Sequence, residues 1–163
     1  MKLLSVLLLS LFISTSALAQ EEEVSMVSTK RLTLFTAIKI AQATIAECTG
    51  RGIQIGVTVV DREGNVQVAL RDTIAAHITV PISERKAFTA ANFNIATSAL
   101  DDRADSPVGR LPIILMAAGG LPIQVGGSLV GAVGVSGAPS GVTDEECAQA
   151  GIDAVLDDLE MAM

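Results

Sequence analysis

The side chains best equipped for chemistry are few. His77 is the only histidine among 163 residues. A neutral imidazole ligates metals, haem iron included. It sits in the connector Thr73–Thr79, just ahead of a helix, where loops present functional groups. The competing reading is a partly exposed loop histidine with no role. Arg71 closes a strand, and Arg85 and Lys86 stand near the start of the following helix. Their cationic heads suit a carboxylate-bearing ligand. With Glu84, Arg85 and Lys86 equally make an ordinary solvated helix face. Phe88 and Phe93 are placed to wall a flat ligand, and Phe88 serves equally as plain core. Asp157 and Glu160 have the i, i+3 spacing of one helix face. Two such carboxylates hold a hard or borderline cation weakly, or simply form an acidic helix end.

No nucleophile–base pair is readable. No serine or cysteine stands in a recognisable catalytic turn. Glu84 and Asp61 have the chemistry of general bases, but nothing in the sequence marks them. The two cysteines, Cys48 and Cys147, have no metal-ligand spacing. Each falls on the apolar stripe of a helix. If those helices cover one sheet face, the Cα atoms come within the roughly 4.4–6.8 Å that a disulfide needs. Otherwise the pair are buried thiols acting as small apolar residues.

The elements that must position these groups follow from periodicity. Thr33 caps a helix with Leu34, Ala37, Ile38, Ala41, Ile45 and Cys48 on one stripe, stopped by Gly50 and Gly52. Ile53, Ile55, Val57 and Val59 alternate in a strand. Asp61–Asn65 is a hairpin loop, with Gly64 at the φ > 0 position. Val66, Val68 and Leu70 alternate in a second strand. Pro81 lies in the first turn of a second helix that runs to about Ala96. Thr97–Arg110 reads as a polar surface loop with one turn of helix, and Ile113–Ala117 as a third strand.

The stretch Gly119–Gly141 is the most organised part of the chain. Two apolar runs, Leu121–Val125 and Leu129–Val135, flank Gly126-Gly127, a hairpin signal. Gly131, Val133 and Val135 should share one face, and Val130, Ala132, Gly134 and Ser136 the other. So small a strand admits close approach by a helix, another subunit or a flat ligand. Thr143 and Glu146 read as a capping box for a final helix to about Glu160, with Cys147, Ala150, Gly151, Ala154 and Val155 inward. Asp144, Glu145 and Glu146 complement its dipole, which argues against a phosphate cradle at Gly137–Gly141. The expected order is helix, two strands, helix, three strands, helix: an α+β fold with a largely antiparallel five-stranded sheet covered on both faces.

Composition bounds the partners. Half of the chain is hydrophobic, yet it holds only four Phe and no Trp or Tyr, so the core is aliphatic and stacking on nucleic-acid bases has little to work with. The formal net charge of −7 disfavours binding to a phosphate backbone. Residues 1–19 read as a signal peptide: Lys2, the apolar run Leu3–Ile13, and the cleavage site Ala17-Leu18-Ala19. That run is short for a membrane anchor, so no stable insertion is expected after cleavage. Residues 20–31 read as a flexible N-terminal arm and 32–163 as one domain. A periplasmic or secreted location would let the cysteines oxidise. Few aromatics and apolar residues on both sheet faces also favour self-association.

Several ordered motifs carry a resemblance. Val59-Val60-Asp61-Arg62-Glu63-Gly64, Arg85-Lys86-Ala87-Phe88-Thr89-Ala90, Gly119-Gly120-Leu121-Pro122-Ile123, Gly131-Ala132-Val133-Gly134-Val135-Ser136-Gly137, and Asp144-Glu145-Glu146 with Ala150-Gly151 resemble the GlcG/HbpS-like group. This is the haem-degrading domain family, which also includes the C-terminal domain of a corrinoid adenosyltransferase. The resemblance covers nearly all of residues 32–160. It implies a profilin-like fold with a five-stranded antiparallel sheet between helices, and assembly into dimers, tetramers or octamers. Some members bind haem, some of these are exported, and one group senses redox stress through surface iron sites. A subset carries His-Thr or a close variant before the Arg-Lys-Ala motif, as His77-Ile78-Thr79 does here. That implies His77 as axial haem ligand; by their own chemistry Arg71, Arg85 and Lys86 then suit the propionates and Phe88 the face of the ring. Asp157 and Glu160 match the family's Asp/Glu-x-x-Glu iron pattern at another place in the chain.

The expectation is an exported, oligomeric small-molecule binding protein that takes haem or a related tetrapyrrole, with iron held weakly if at all. The alternatives are an enzyme acting on a small organic acid or tetrapyrrole, and a structural or partner-binding protein with no small ligand. The family's label does not by itself assign catalysis.

Overall fold

The computed structural model describes residues 25–163; the expected signal segment and the start of the arm lie outside the described residues. Helix α1 spans Leu34–Gly50, strand β1 Gly56–Asp61 and strand β2 Val66–Arg71. Helix α2 spans Thr79–Phe93, strand β3 Gly120–Val125, strand β4 Ser128–Ser136 and helix α3 Gly141–Met161. A 3₁₀ helix, Thr97–Arg103, follows α2. The strands form one antiparallel sheet in the order β2-β1-β4-β3. No helix among the described residues is long and apolar enough to cross a membrane.

Alternation in β1 sorts the two faces. Val57 and Val59 meet α1 and α3 in the main core, with Ile40, Cys48, Val133, Val135, Cys147 and Val155. Val60 faces the other way, onto Ala87, Ala90 and Ala91 of α2 and Ala132 of β4. Thr58 on that same face shares a 2.8 Å hydrogen bond with Ser83. The helices therefore cover both faces, as their patterning requires.

The small residues of β4 exist for close helix packing. A Cβ at Gly134 would lie 2.0 Å from the Ser83 carbonyl oxygen and 2.5 Å from the Ala87 nitrogen of α2. Such distances leave no room for a side chain. A similar approach joins the helices of the opposite face, where a Cβ at Gly151 would lie 2.0 Å from Thr44 Oγ1.

The α+β class holds, but the sheet has four strands, not five. The expected strand Ile113–Ala117 has no ladder partner. Its polar backbone is met instead by α2: Arg85 donates to the Ile114 oxygen at 2.7 Å, and the Leu115 N–H donates to Thr89 Oγ1 at 2.9 Å. Ile114 and Met116 bury against Leu100, with Phe88 and Phe93 alongside. With its backbone groups met this way, the segment needs no ladder.

Two bulges move residues between faces. Ile123 pairs with Gly131 and Gln124 with Leu129, so Val130 is the extra residue. Val130 therefore joins the α1/α3 face rather than that of Ala132. Likewise Val60 pairs with Val66 and Val59 with Val68, leaving Gln67 as the extra residue. Val66 consequently leaves the Val68–Leu70 face and is 47% exposed.

Turn chemistry is largely as expected. Thr33 caps α1 by accepting from the Thr36 N–H. Gly64, Gly126 and Gly127 all have positive φ. At α3 the cap is Ser140 rather than Thr143, because Ser140 Oγ accepts from the Thr143 N–H and the helix begins at Gly141. Helix α2 stops at Phe93, where Asn94 takes φ 52°.

Cys48 and Cys147 form a disulfide with their Cα atoms 5.6 Å apart. Both helices do cover the same sheet face, which settles the pairing in favour of the bond. Arg51 reinforces the junction by pairing with Glu47 of α1 and Glu146 of α3.

Candidate functional site

The connector between β2 and α2 carries His77, and hydrogen bonds hold it at nearly every residue. The Asp72 N–H donates to the Ile55 oxygen at 2.9 Å. The Asp72 carboxylate accepts from the Thr73 N–H at 2.7 Å and from Thr49 Oγ1 at 2.9 Å. The Ile74 N–H donates to Gln54 Oε1 at 3.0 Å. Arg71 Nη1 donates to the Ala75 oxygen at 2.5 Å and lies 3.3 and 3.4 Å from the oxygens of Asp72 and Thr73. Arg71 is thus spent on its own loop, as a clamp that shapes the backbone leading to His77.

Beyond His77, Thr79 anchors the start of α2. Its hydroxyl donates to the Ala76 oxygen at 2.8 Å, and the sheet approaches so closely that a Cβ on Gly56 would lie 2.6 Å from it. His77 sits between these two fixed ends and is exposed. Its flanks are apolar and open to solvent: Ile74 is 79% and Ile78 61% exposed. An imidazole on a held loop beside apolar surface can ligate a metal centre that brings an apolar body with it.

Arg85 lies seven residues beyond Ile78, about 10 Å along the axis at 1.5 Å per residue. One of its terminal nitrogens holds the Ile114 oxygen, while Nε is buried with no partner. Lys86 has no such freedom. It is 5% exposed, and its Nζ donates to Asp144 Oδ2 and to the Val135 oxygen, each at 2.9 Å. The expected solvated face at the helix start therefore holds for Glu84 but not for Lys86, because α2 turns residue 86 onto the end of β4. Phe88 packs beside the β1–β2 turn, where a Cβ at Gly64 would meet its ring at 2.7 Å.

The sequence marks Asp144 as a dipole partner and a motif residue, and the structure makes it a buried ion-pair partner. It is 3% exposed and also accepts from the Ala138 N–H at 3.0 Å. Glu145 Oε1 accepts from the N–H groups of Ser98 and Gly119, each at 3.1 Å. The signature acids thus tie the start of α3 to α2, to the 3₁₀ helix and to the entry of β3.

Asp61 is a poor general base. Burial by itself would push its carboxyl up, but hydrogen bonds from the Asn65 side chain and from the N–H groups of Asn65 and Glu63, with Arg31 nearby, hold it below the ordinary 3.8. Asp157 and Glu160 are both exposed on α3. Among the described residues, no group of three or more His, Cys, Asp or Glu stands ready to hold a metal ion.

The donor set admits haem in part. His77 offers an exposed imidazole, whereas Arg85 spends one terminal nitrogen on the Ile114 oxygen and its unpartnered Nε is buried out of a ligand's reach. Arg71, Lys86 and Phe88 are committed to holding the loop, α3 and the first hairpin.

Comparison with known proteins agrees with the fold. The profile of the family described as "Haem degrading protein HbpS-like" matches residues 32–153. An uncharacterised 15.0 kDa protein from the dhaT-dhaS intergenic region of Citrobacter freundii is 32% identical over 113 residues, covering 65% of this chain and 80% of that one. The crystal structure of HbpS superposes with a TM-score of 0.76 at 38% identity, over 80% of this chain and 94% of that one. A PduOC:haem complex shares the fold with a TM-score of 0.70 at 24% identity, over 76% of this chain and 94% of that one. With its motifs, helix order and closely packed β4 all in place, the chain belongs to the HbpS-like haem-degrading protein family.

Proposed function

We propose that this protein is an exported haem-binding protein, or a binder of a related tetrapyrrole, that works as a homo-oligomer. His77 would hold the iron through its imidazole, and the half-buried Arg85 guanidinium would be the cation offered to a carboxylate of the ligand. The observation that carries the reading is His77 itself, an exposed imidazole on a hydrogen-bonded loop between exposed Ile74 and Ile78. Family membership and the shared fold of a haem complex support it. When bound, haem would supply an iron centre at the His77 imidazole.

Export rests on the segment Lys2 to Ala19, with residues 20–31 as an arm and the domain beyond. The Cys48–Cys147 disulfide fits an oxidising compartment. Self-association is supported by side chains that stay open in one chain, among them Phe35 at 78% and Leu111 and Ile113 at 50% exposed.

The test is titration of the mature protein with haemin. A saturable Soret shift is expected, and His77→Ala should move the band or weaken binding by at least about tenfold. No binding would end the haem reading, and an unchanged His77→Ala spectrum would remove His77 from the site. Light scattering that shows a monomer throughout the micromolar range would end the oligomer reading.

A further inference from the structure

The two edges of the sheet, β3 and β2, are finished differently. On β3, the Val135 N–H donates to the Gly119 oxygen at 2.8 Å, and Leu121 and Ile123 pair with Val133 and Gly131 of β4. By alternation these residues direct their backbone groups at β4, while Gly120 and Pro122 direct theirs outward. Thr97 meets Gly120: its Oγ1 accepts from the Gly120 N–H at 2.8 Å and donates to the Gly120 oxygen at 3.4 Å. Pro122 has no N–H to offer. That edge is closed to a further strand.

The β2 edge has no such guard. The Asp72 N–H donates to the Ile55 oxygen, and Leu70 and Val68 pair with Val57 and Val59 of β1. The N–H and C=O groups of Gln67, Ala69 and Arg71 therefore point away from the sheet. No group among the described residues bonds them. In a chain of net charge −7, the run Val66–Leu70 carries no charge and no proline. The Arg71 guanidinium turns back onto the Ala75 oxygen. Apolar surface flanks this edge. Helix α1 runs alongside β2, from Leu32, whose oxygen accepts from Gln67 Nε2, to Thr49, which donates to Asp72. By the helical period Leu34, Ile38 and Ile45 share the side of Thr49. Leu34 is 52% and Val66 47% exposed. An uncharged edge of this kind is a template for another strand.

We infer that β2 pairs antiparallel with the β2 of a second copy, about a twofold axis at Ala69, joining two four-stranded sheets into one. The inference rests on the homo-oligomer reading and names its surface. About a twofold, an antiparallel edge is its own complement. Ala69 then lies opposite its own counterpart, and Gln67 opposite the counterpart of Arg71. All three outward residues enter hydrogen-bonded pairs, for about six bonds at two per pair. On the α1 face Val68 meets the counterpart of Leu70, an apolar cross-strand pair that carries the core across the axis. A register centred on Val68 or Leu70 matches two of the outward residues and leaves the third without a partner.

The test uses the mature protein. Cys48 and Cys147 are bonded to each other, so Ala69→Cys adds the one free thiol. A hydrogen-bonded antiparallel pair sets its Cα atoms about 5.5 Å apart, within reach of a disulfide. Mild oxidation should turn most of the Ala69→Cys protein into a covalent dimer on non-reducing electrophoresis. Ala154→Cys, exposed on α3, should stay mostly monomeric there. Ala69→Pro removes an outward N–H that the single chain does not use. Its circular dichroism should match the parent's while light scattering shows the dimer Kd raised at least about tenfold. The cross-link decides the question even if the proline is not tolerated. A parent that is monomeric throughout the micromolar range would overturn the homo-oligomer reading and this pairing with it. An oligomeric parent whose Ala69→Cys variant does not cross-link would overturn the pairing alone. So would association unmoved by Ala69→Pro, including association that depends instead on residues 20–29 of the arm.

Discussion

Lys86 Nζ and Asp144 Oδ2 lie 2.9 Å apart, with both side chains under a tenth exposed. The pair joins the middle of α2 to the first turn of α3 across the end of β4. Backbone completes it: Lys86 also donates to the Val135 oxygen, and Asp144 also accepts from the Ala138 N–H. Even Gly119 belongs to this junction, since a Cβ there would lie 2.3 Å from the Lys86 ammonium.

Removing one partner strands a buried charge. Lys86→Met should cost about 3–5 kcal/mol, read as the shift in a denaturant midpoint. Replacing both partners, with Asp144→Asn added, should recover a good part of that loss. A single variant as stable as the parent would show that the pair is not buried in solution.

The disulfide should be complete in protein purified without reductant. Intact mass after alkylation in denaturant should show no added groups, and two after reduction. Replacing both cysteines by alanine should cost about 4 kcal/mol, because the bond closes a loop across 99 residues of separation. Two alkyl groups on unreduced protein would contradict the bond.

Close packing makes β4 intolerant of a single methyl. Gly134→Ala should destabilise by about 2–3 kcal/mol, because the atoms in its way are α2 backbone rather than a movable side chain. Gly50→Ala is the control: nothing lies within 4 Å of its added Cβ, and it ends α1. Equal effects at the two sites would refute the close approach of α2.

Asp61 ties stability to acid. Its carboxyl titrates below the ordinary 3.8 in the folded chain. A group depressed on folding contributes stability above its unfolded value, and that contribution is lost as pH falls through the folded value. Asp61→Asn should therefore flatten the fall in stability below about pH 4, while costing some stability at neutral pH. Identical acid profiles for the two proteins would dismiss Asp61 as a contributor.

Much of this fold is legible in the chain because it is local. The alternation in β1, the paired positive φ at Gly126 and Gly127, and the Thr33 cap are decided by residues within a few positions of each other. The cysteine stripes likewise placed Cys48 and Cys147 inward, and the motifs marked the family. What tertiary structure alone decided is where backbone polar groups and charges find partners. Ile113–Ala117 has the look of a strand, but Arg85 and Thr89 meet its backbone first, so the sheet stops at four. Val130 and Val66 change sides because a bulge is a property of two strands together, invisible in the period of either. Lys86 reads as solvated until Asp144, 58 residues away, arrives to neutralise it. The open edge at β2 is tertiary too: Thr97, 23 residues before Gly120, closes the other edge, and no short window of sequence shows which strands lie outermost.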